Sequence, residues 1–157
     1  MPELRGLLEQ AGYTGVQTLL QSGNVVVRTP KGADAFARDL EERIAGHFGL
    51  DVDVVARTAA QLAEAIDGAP LAEKATDPKR HFVVFLSDKP DAAALKALDA
   101  EDFSPDEFAA RGREVFAWCP EGMRNSRLMR ELGSTKLAPV TTTRNMSTVA
   151  KLLEMLR

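Results

Sequence analysis

Three short stretches gather side chains that could hold a polar or anionic ligand. In the first, Thr142-Thr143-Arg144-Asn145 passes from a strand-compatible threonine run into a helix. Val149, Leu152, Leu153 and Leu156 follow at the i, i+3, i+4, i+7 spacing of one apolar helix face. Free amides of a first helical turn, together with the helix dipole, make such an end electropositive. Arg144 adds a fixed charge there, so a phosphate or carboxylate would be stabilised. The plainer reading is that Arg144 pairs with an acidic side chain, while Asn145 or Ser147 merely caps the helix. The second stretch is Arg124, Ser126 and Arg127, with Lys136 nearby in sequence. Two guanidiniums at a helix start suit phosphate, and solvated surface arginines are its plain counterpart. In the third, Gln21, Ser22 and Asn24 surround Gly23. These amides and the hydroxyl could read a polar ligand, but a tight turn asks for the same residue types.

None of this amounts to a catalytic signature. Cys119 sits between Trp118 and Pro120 with no histidine close in sequence, the setting of a buried small hydrophobe. His47 and His81 are far apart and lack metal-ligand spacing, so no metal or cofactor is expected. Asp99, Glu101 and Asp102 read as a solvated acidic turn, and no phosphate loop or dinucleotide fingerprint occurs. A single cysteine rules out an internal disulfide and fits a reducing compartment. The net charge of −3 offers no bulk attraction to nucleic acid or anionic membrane. No apolar run approaches the roughly 20 residues that span a bilayer. The opening Met1-Pro2-Glu3-Leu4-Arg5 lacks the pattern of a signal peptide, so the expected location is cytoplasmic.

The elements that must position these residues follow from periodicity. Pro2 begins a helix buried at Leu4, Leu7, Leu8 and Ala11 and ended by Gly12. Val16–Leu20 and Val25–Arg28 form a hairpin about 21–24, with Gly23 or Asn24 free to take positive φ. Phe36, Leu40, Ile44 and Phe48 mark a helix over 33–48. Val52–Arg57 reads as a third strand, and Thr58-Ala59-Ala60-Gln61 as a capping box opening a short helix. Beyond a Gly- and Pro-broken stretch, the apolar run His81–Leu86 predicts a central strand buried on both faces. A helix over 92–98, a hairpin over 107–119, a helix over 127–132 capped by Ser126 and the threonine strand complete the chain.

The second half therefore reads β-α-β-β-α-β, and the first half matches that order without its opening strand. The motif Gln21-Ser22-Gly23-Asn24-Val25-Val26, followed by Thr142-Thr143-Arg144-Asn145 and Thr148-Val149, resembles the bacterial family called "domain of unknown function 1697". Val54-Val55-Ala56-Arg57-Thr58 and the basic segment 124–128 are similar too, and the resemblance runs from Pro2 to Leu156. It implies an α+β fold of two ferredoxin-like subdomains and no established activity. It also implies two departures. A family strand and glycine-rich Arg-Gly-Ile-Asn loop are missing before the first helix, and Met146 stands where the family carries an aromatic residue.

The expected organisation is an incomplete N-terminal subdomain over 1–68, a linker over 69–80 and a C-terminal subdomain over 81–157. A vacated strand slot would be closed up, filled by another segment, or paired with a second copy in a homodimer; a gene start lying upstream is the alternative. The leading functional expectation is a non-enzymatic protein that binds a small anionic or polar ligand or a partner chain. An enzyme acting on a phosphorylated metabolite, with arginines as clamps, is the runner-up. RNA binding stands third, because only 6% of residues are aromatic and the charge is negative.

Overall fold

The computed structural model describes residues 2–19, 23–134 and 137–156. Its elements run α1 (Pro2–Gln10), β1 (Thr14–Leu19), β2 (Asn24–Arg28), α2 (Ala33–Phe48), α3 (Ala59–Asp67), β3 (His81–Leu86), α4 (Ala92–Asp99), β4 (Glu107–Arg111), β5 (Glu114–Trp118), α5 (Arg127–Ser134), β6 (Thr141–Asn145) and α6 (Met146–Met155). The fold is α+β with two sheets. Contacts divide the chain into two compact units, one of residues 1–62 with 151–157 and one of residues 63–150. The divisions fall inside α3 and α6, so the stretch 69–80, expected as a linker, belongs to the second unit. Among the described residues, no helix is long and apolar enough to cross a membrane.

In the first unit, α1 and α2 pack their apolar stripes over the β1–β2 hairpin. Leu8, Tyr13, Val16, Phe36, Leu40 and Ile44 form the core. The strands pair antiparallel, and a bulge between Thr14 and Gln17 coincides with Gly15, whose φ of +60° a side chain would resist. Gly49, at φ 68°, ends α2 in the left-handed cap conformation. One expectation needs correction here: Val52–Arg57 is not a strand, although Val54 and Ala56 do pack against the core. The Val54 main-chain N–H donates to Glu41 Oε2 of α2 at 2.9 Å. A helix side chain thus takes the donor that a neighbouring strand would have used. At the next step the capping box forms as expected. Thr58 N–H donates to Gln61 Oε1 at 2.8 Å, and Gln61 N–H returns to Thr58 Oγ1 at 3.1 Å.

The second unit is built on a four-stranded sheet in the order β4-β5-β3-β6, every neighbouring pair antiparallel. All six residues of β3 are buried, as an interior strand requires. Phe82, Val84 and Leu86 point to one face, where Leu98 of α4 and Leu128, Met129 and Leu132 of α5 join them in a core. His81, Val83 and Phe85 point to the other, beside Phe116 of β5. Arg111 of β4 lies across the end of α3, donating to the Glu64 carbonyl at 3.2 Å and meeting its carboxylate at 3.4 Å. A Cβ on Gly68 would stand 1.6 Å from Arg111 Nη1, so this glycine serves a close approach.

Candidate functional site

The turn that leaves β5 and enters α5 builds a polar site. Cys119 N–H donates to Arg80 O at 3.0 Å, Gly122 turns back on Cys119 O at 2.9 Å, and Ser126 N–H closes on Met123 O at 3.1 Å. Gly122 takes a φ of +91°, which the reversal requires. These bonds deliver Ser126 to the head of α5, where its Oγ accepts from Met129 N–H at 3.1 Å. Ser126 is the expected cap. Only 4% of it is exposed, and its hydroxyl donates to Asp106 Oδ2 at 2.6 Å. Cys119 Sγ lies 3.6 Å from Ser126 Oγ. Burial pushes the Cys119 thiol up to about 11, so it remains protonated and inert as a nucleophile at neutral pH.

Arg127, one residue on, is tied down from the opposite wall. Its Nη1 meets Glu101 Oε1 at 2.8 Å, its Nη2 donates to Asp102 O at 2.9 Å, and the guanidinium lies 4.5 Å from the centre of the Phe103 ring. Asp102 in turn accepts from Ser104 N–H at 2.9 Å. That main-chain bond holds its carboxyl below the usual range, helped by the Ser104 hydroxyl and by the charge of Arg127. Between the walls is a depression of about 270 Å³, bounded by residues 102–106 on one side and by Glu121, Gly122, Asn125, Ser126 and Arg127 on the other. Asp102, Asp106 and Glu121 set three carboxylates against one guanidinium already paired with Glu101. Among the lining side chains, carboxylates outnumber guanidiniums. Neither histidine lines it. The serine hydroxyl is held between an amide and a carboxylate.

The other expected residues are accounted for separately. Arg124 is exposed on the turn before α5. Asn145 Oδ1 accepts from Thr148 N–H at 2.9 Å, which makes Asn145 the cap of α6. Arg144 Nη1 turns back to Thr142 Oγ1 at 2.7 Å and Thr143 O at 2.8 Å, and burial lowers its pKa. Asn24 is buried in β2, its amide donating to Leu19 O at 3.2 Å across the hairpin. Gln21, Ser22 and Lys136 lie outside the described residues. The arginine clusters do not converge. Arg144 stands opposite Val83, whose neighbours Phe82 and Val84 face α5, so Arg144 and the head of α5 lie on opposite faces of one sheet.

Asp106 is the residue that sequence reading missed. It lies twenty positions before Ser126, and no local spacing links a loop carboxylate to a helix cap formed in another part of the sheet. Among the described residues, no group of three or more His, Cys, Asp or Glu is arranged to hold a metal ion.

Known proteins resemble this chain in sequence and in fold. No curated protein matches the chain. A conserved bacterial protein from Streptococcus pneumoniae, whose structure is solved, aligns with a TM-score of 0.79 at 19% identity, covering 100% of this chain and 88% of that one. At that identity the likeness speaks for the fold alone. The model of the family described as "Protein of unknown function (DUF1697)" matches residues 1–116, and the chain belongs to that family.

Proposed function

We propose that this protein binds a small polar ligand in the depression at the head of α5, carried by a second unit of ferredoxin-like type. The fold reading is supported by the order β3-α4-β4-β5-α5-β6, with β3 set between β5 and β6. The first unit keeps the helix–hairpin–helix portion of the same order. One observation carries the binding reading: a nearly buried serine hydroxyl aligned by a carboxylate on the wall of an open polar hollow. Ligand sites for drug-sized molecules occupy roughly 300–1,000 Å³ and are mostly apolar. This one is smaller and acidic, which fits a compact neutral or cationic molecule rather than the anion expected from the arginines.

Thermal-shift titration with amines, amino acids, polyols and sugar phosphates tests the reading. A ligand at 100 times its Kd adds about 2.7 kcal/mol of stability, an easily measured shift. The expected result is a hit among amines or polyols that Asp106→Asn abolishes and Lys74→Gln leaves intact. A panel in which only phosphorylated compounds bind, indifferent to Asp106, would overturn it.

A second reading, self-association through strand pairing, is favoured by the two-stranded sheet of the first unit. Two-stranded sheets are marginal by themselves, and the outer edges of β1 and β2 have no strand partner among the described residues. Light scattering that reports a monomer over the micromolar range would dismiss it.

A further inference from the structure

We infer that Lys31 and Arg43 of the first unit form a second binding site, for a phosphoryl group. Three donors converge on one oxygen there. Arg43 Nε meets Asp39 Oδ2 at 2.8 Å, Lys31 Nζ stands 3.6 Å from it, and the Tyr13 hydroxyl donates a short hydrogen bond to it. Lys31 Nζ also donates to the Tyr13 oxygen at 3.2 Å and lies 5.4 Å from the centre of that ring. Tyr13 is itself buried, with its ring edge-on to Phe36 at 5.2 Å, so the phenol is a fixed post.

Charge is what this arrangement leaves over. In Arg5–Glu9, Lys74–Glu107 and Arg127–Glu101, one cation meets one carboxylate. Here two cations share a single carboxylate, leaving one positive charge in a chain whose net charge is −3. Of the acids nearby in sequence, Glu41 accepts from Val54 N–H, and Glu42 forms no ion pair with either cation among the described residues. Hydrogen bonds and charges within the cluster keep all three groups ionised. The Tyr13 hydroxyl and Arg43 depress Asp39, while Tyr13 raises Lys31 and Asp39 raises Arg43.

Because both nitrogens reach the same oxygen, their separation cannot exceed the sum of those two distances, a span that the oxygens of one phosphate bridge. Arg43 commits its Nε to Asp39, and a guanidinium fork matches phosphate geometry. Lys31, 45% exposed, supplies a mobile point charge beside it. A tetrahedral dianion with several oxygens can engage both cations more fully than a single carboxylate can.

Titration of the intact chain with inorganic phosphate, acetate and chloride at matched ionic strength, followed by amide NMR, tests the site. Saturable shifts confined to residues around 31 and 39–43 are expected with phosphate. Acetate should bind more weakly, and chloride should give only a linear drift. Lys31→Gln and Arg43→Gln should each weaken phosphate roughly tenfold. Lys31→Arg should retain most of the affinity, and Lys74→Gln all of it. Both glutamine variants alter partly exposed side chains, so retained NMR dispersion separates lost binding from lost folding. Three results would overturn the assignment: linear phosphate shifts, acetate binding as tightly as phosphate, or unchanged affinity in folded Lys31→Gln. This site shares no residue with the depression at α5, so either can fail alone.

Discussion

Replacing Ser126 with alanine should be the most informative single change, because one oxygen joins the cap of α5 to the candidate site. Two interactions disappear. The cap to Met129 N–H contributes about 1 kcal/mol, the usual cost of removing a serine at that position. The bond to Asp106 is charge-assisted, and such bonds contribute about 1.5–3 kcal/mol. Asp106 is only partly buried, so water can replace the lost donor, and the lower end of that range applies. Together the loss should be about 2.5 kcal/mol, or roughly 5–10 °C in Tm for a chain of this length. Urea unfolding would read it as a lower midpoint at unchanged m. Asp106→Ala and the double variant complete the cycle, and a coupling of about 1 kcal/mol or more is expected. A Ser126→Ala loss below about 0.5 kcal/mol, or strict additivity of the two variants, would refute the hydroxyl–carboxylate link. The proposed ligand site would then lose its organising contact.

Other expectations follow from separate parts of the molecule. Burial lowers the pKa of His81, which is 3% exposed and has no hydrogen-bond partner for Nε2 among the described residues. Its neutral form therefore stabilises the fold fully above the unfolded value of about 6.5, and that contribution is lost as pH falls below it. Stability measured from pH 7.5 to 5 should decline, and His81→Phe should flatten the slope; an identical slope in the variant would assign the effect elsewhere. Gly68→Ala should cost less than about 1 kcal/mol despite the 1.6 Å overlap, because the half-exposed Arg111 can swing aside and lose only a surface bond. In an Arg111→Ala background the substitution should be neutral, and a loss of several kcal/mol there would mean that the backbone, not the arginine, gives way.

Much of the fold could be read directly from local pattern. Helix α2 came from a four-residue apolar repeat, β3 from its unbroken apolar run, and the α3 box from Thr58 and Gln61. Each depends on residues within about one turn or one strand, and there spacing and hydrogen-bonding capacity dictate the outcome. Val52–Arg57 shows the limit. Its valines have strand character, but the donor of Val54 found a carboxylate on α2 before it found a strand. Strand formation needs a partner edge, and composition carries no record of whether one is present.

The candidate sites divide along the same line. Residue types alone marked Ser126 as the cap of α5 and left Asn145 or Ser147 for α6; Ser126 and Asn145 cap. The three-dimensional arrangement decided everything that depends on distance across the chain. It set Arg144 on the sheet face away from α5, fastened Arg127 to Glu101, and brought Asp106 to Ser126. It also drew Lys31, Asp39 and Tyr13 together from three separate segments. Charges act through space with a range set by separation and burial, whereas a sequence records only order. Which carboxylate meets which cation is therefore settled by tertiary packing within each unit, about α2 in the first and about β3 and α5 in the second.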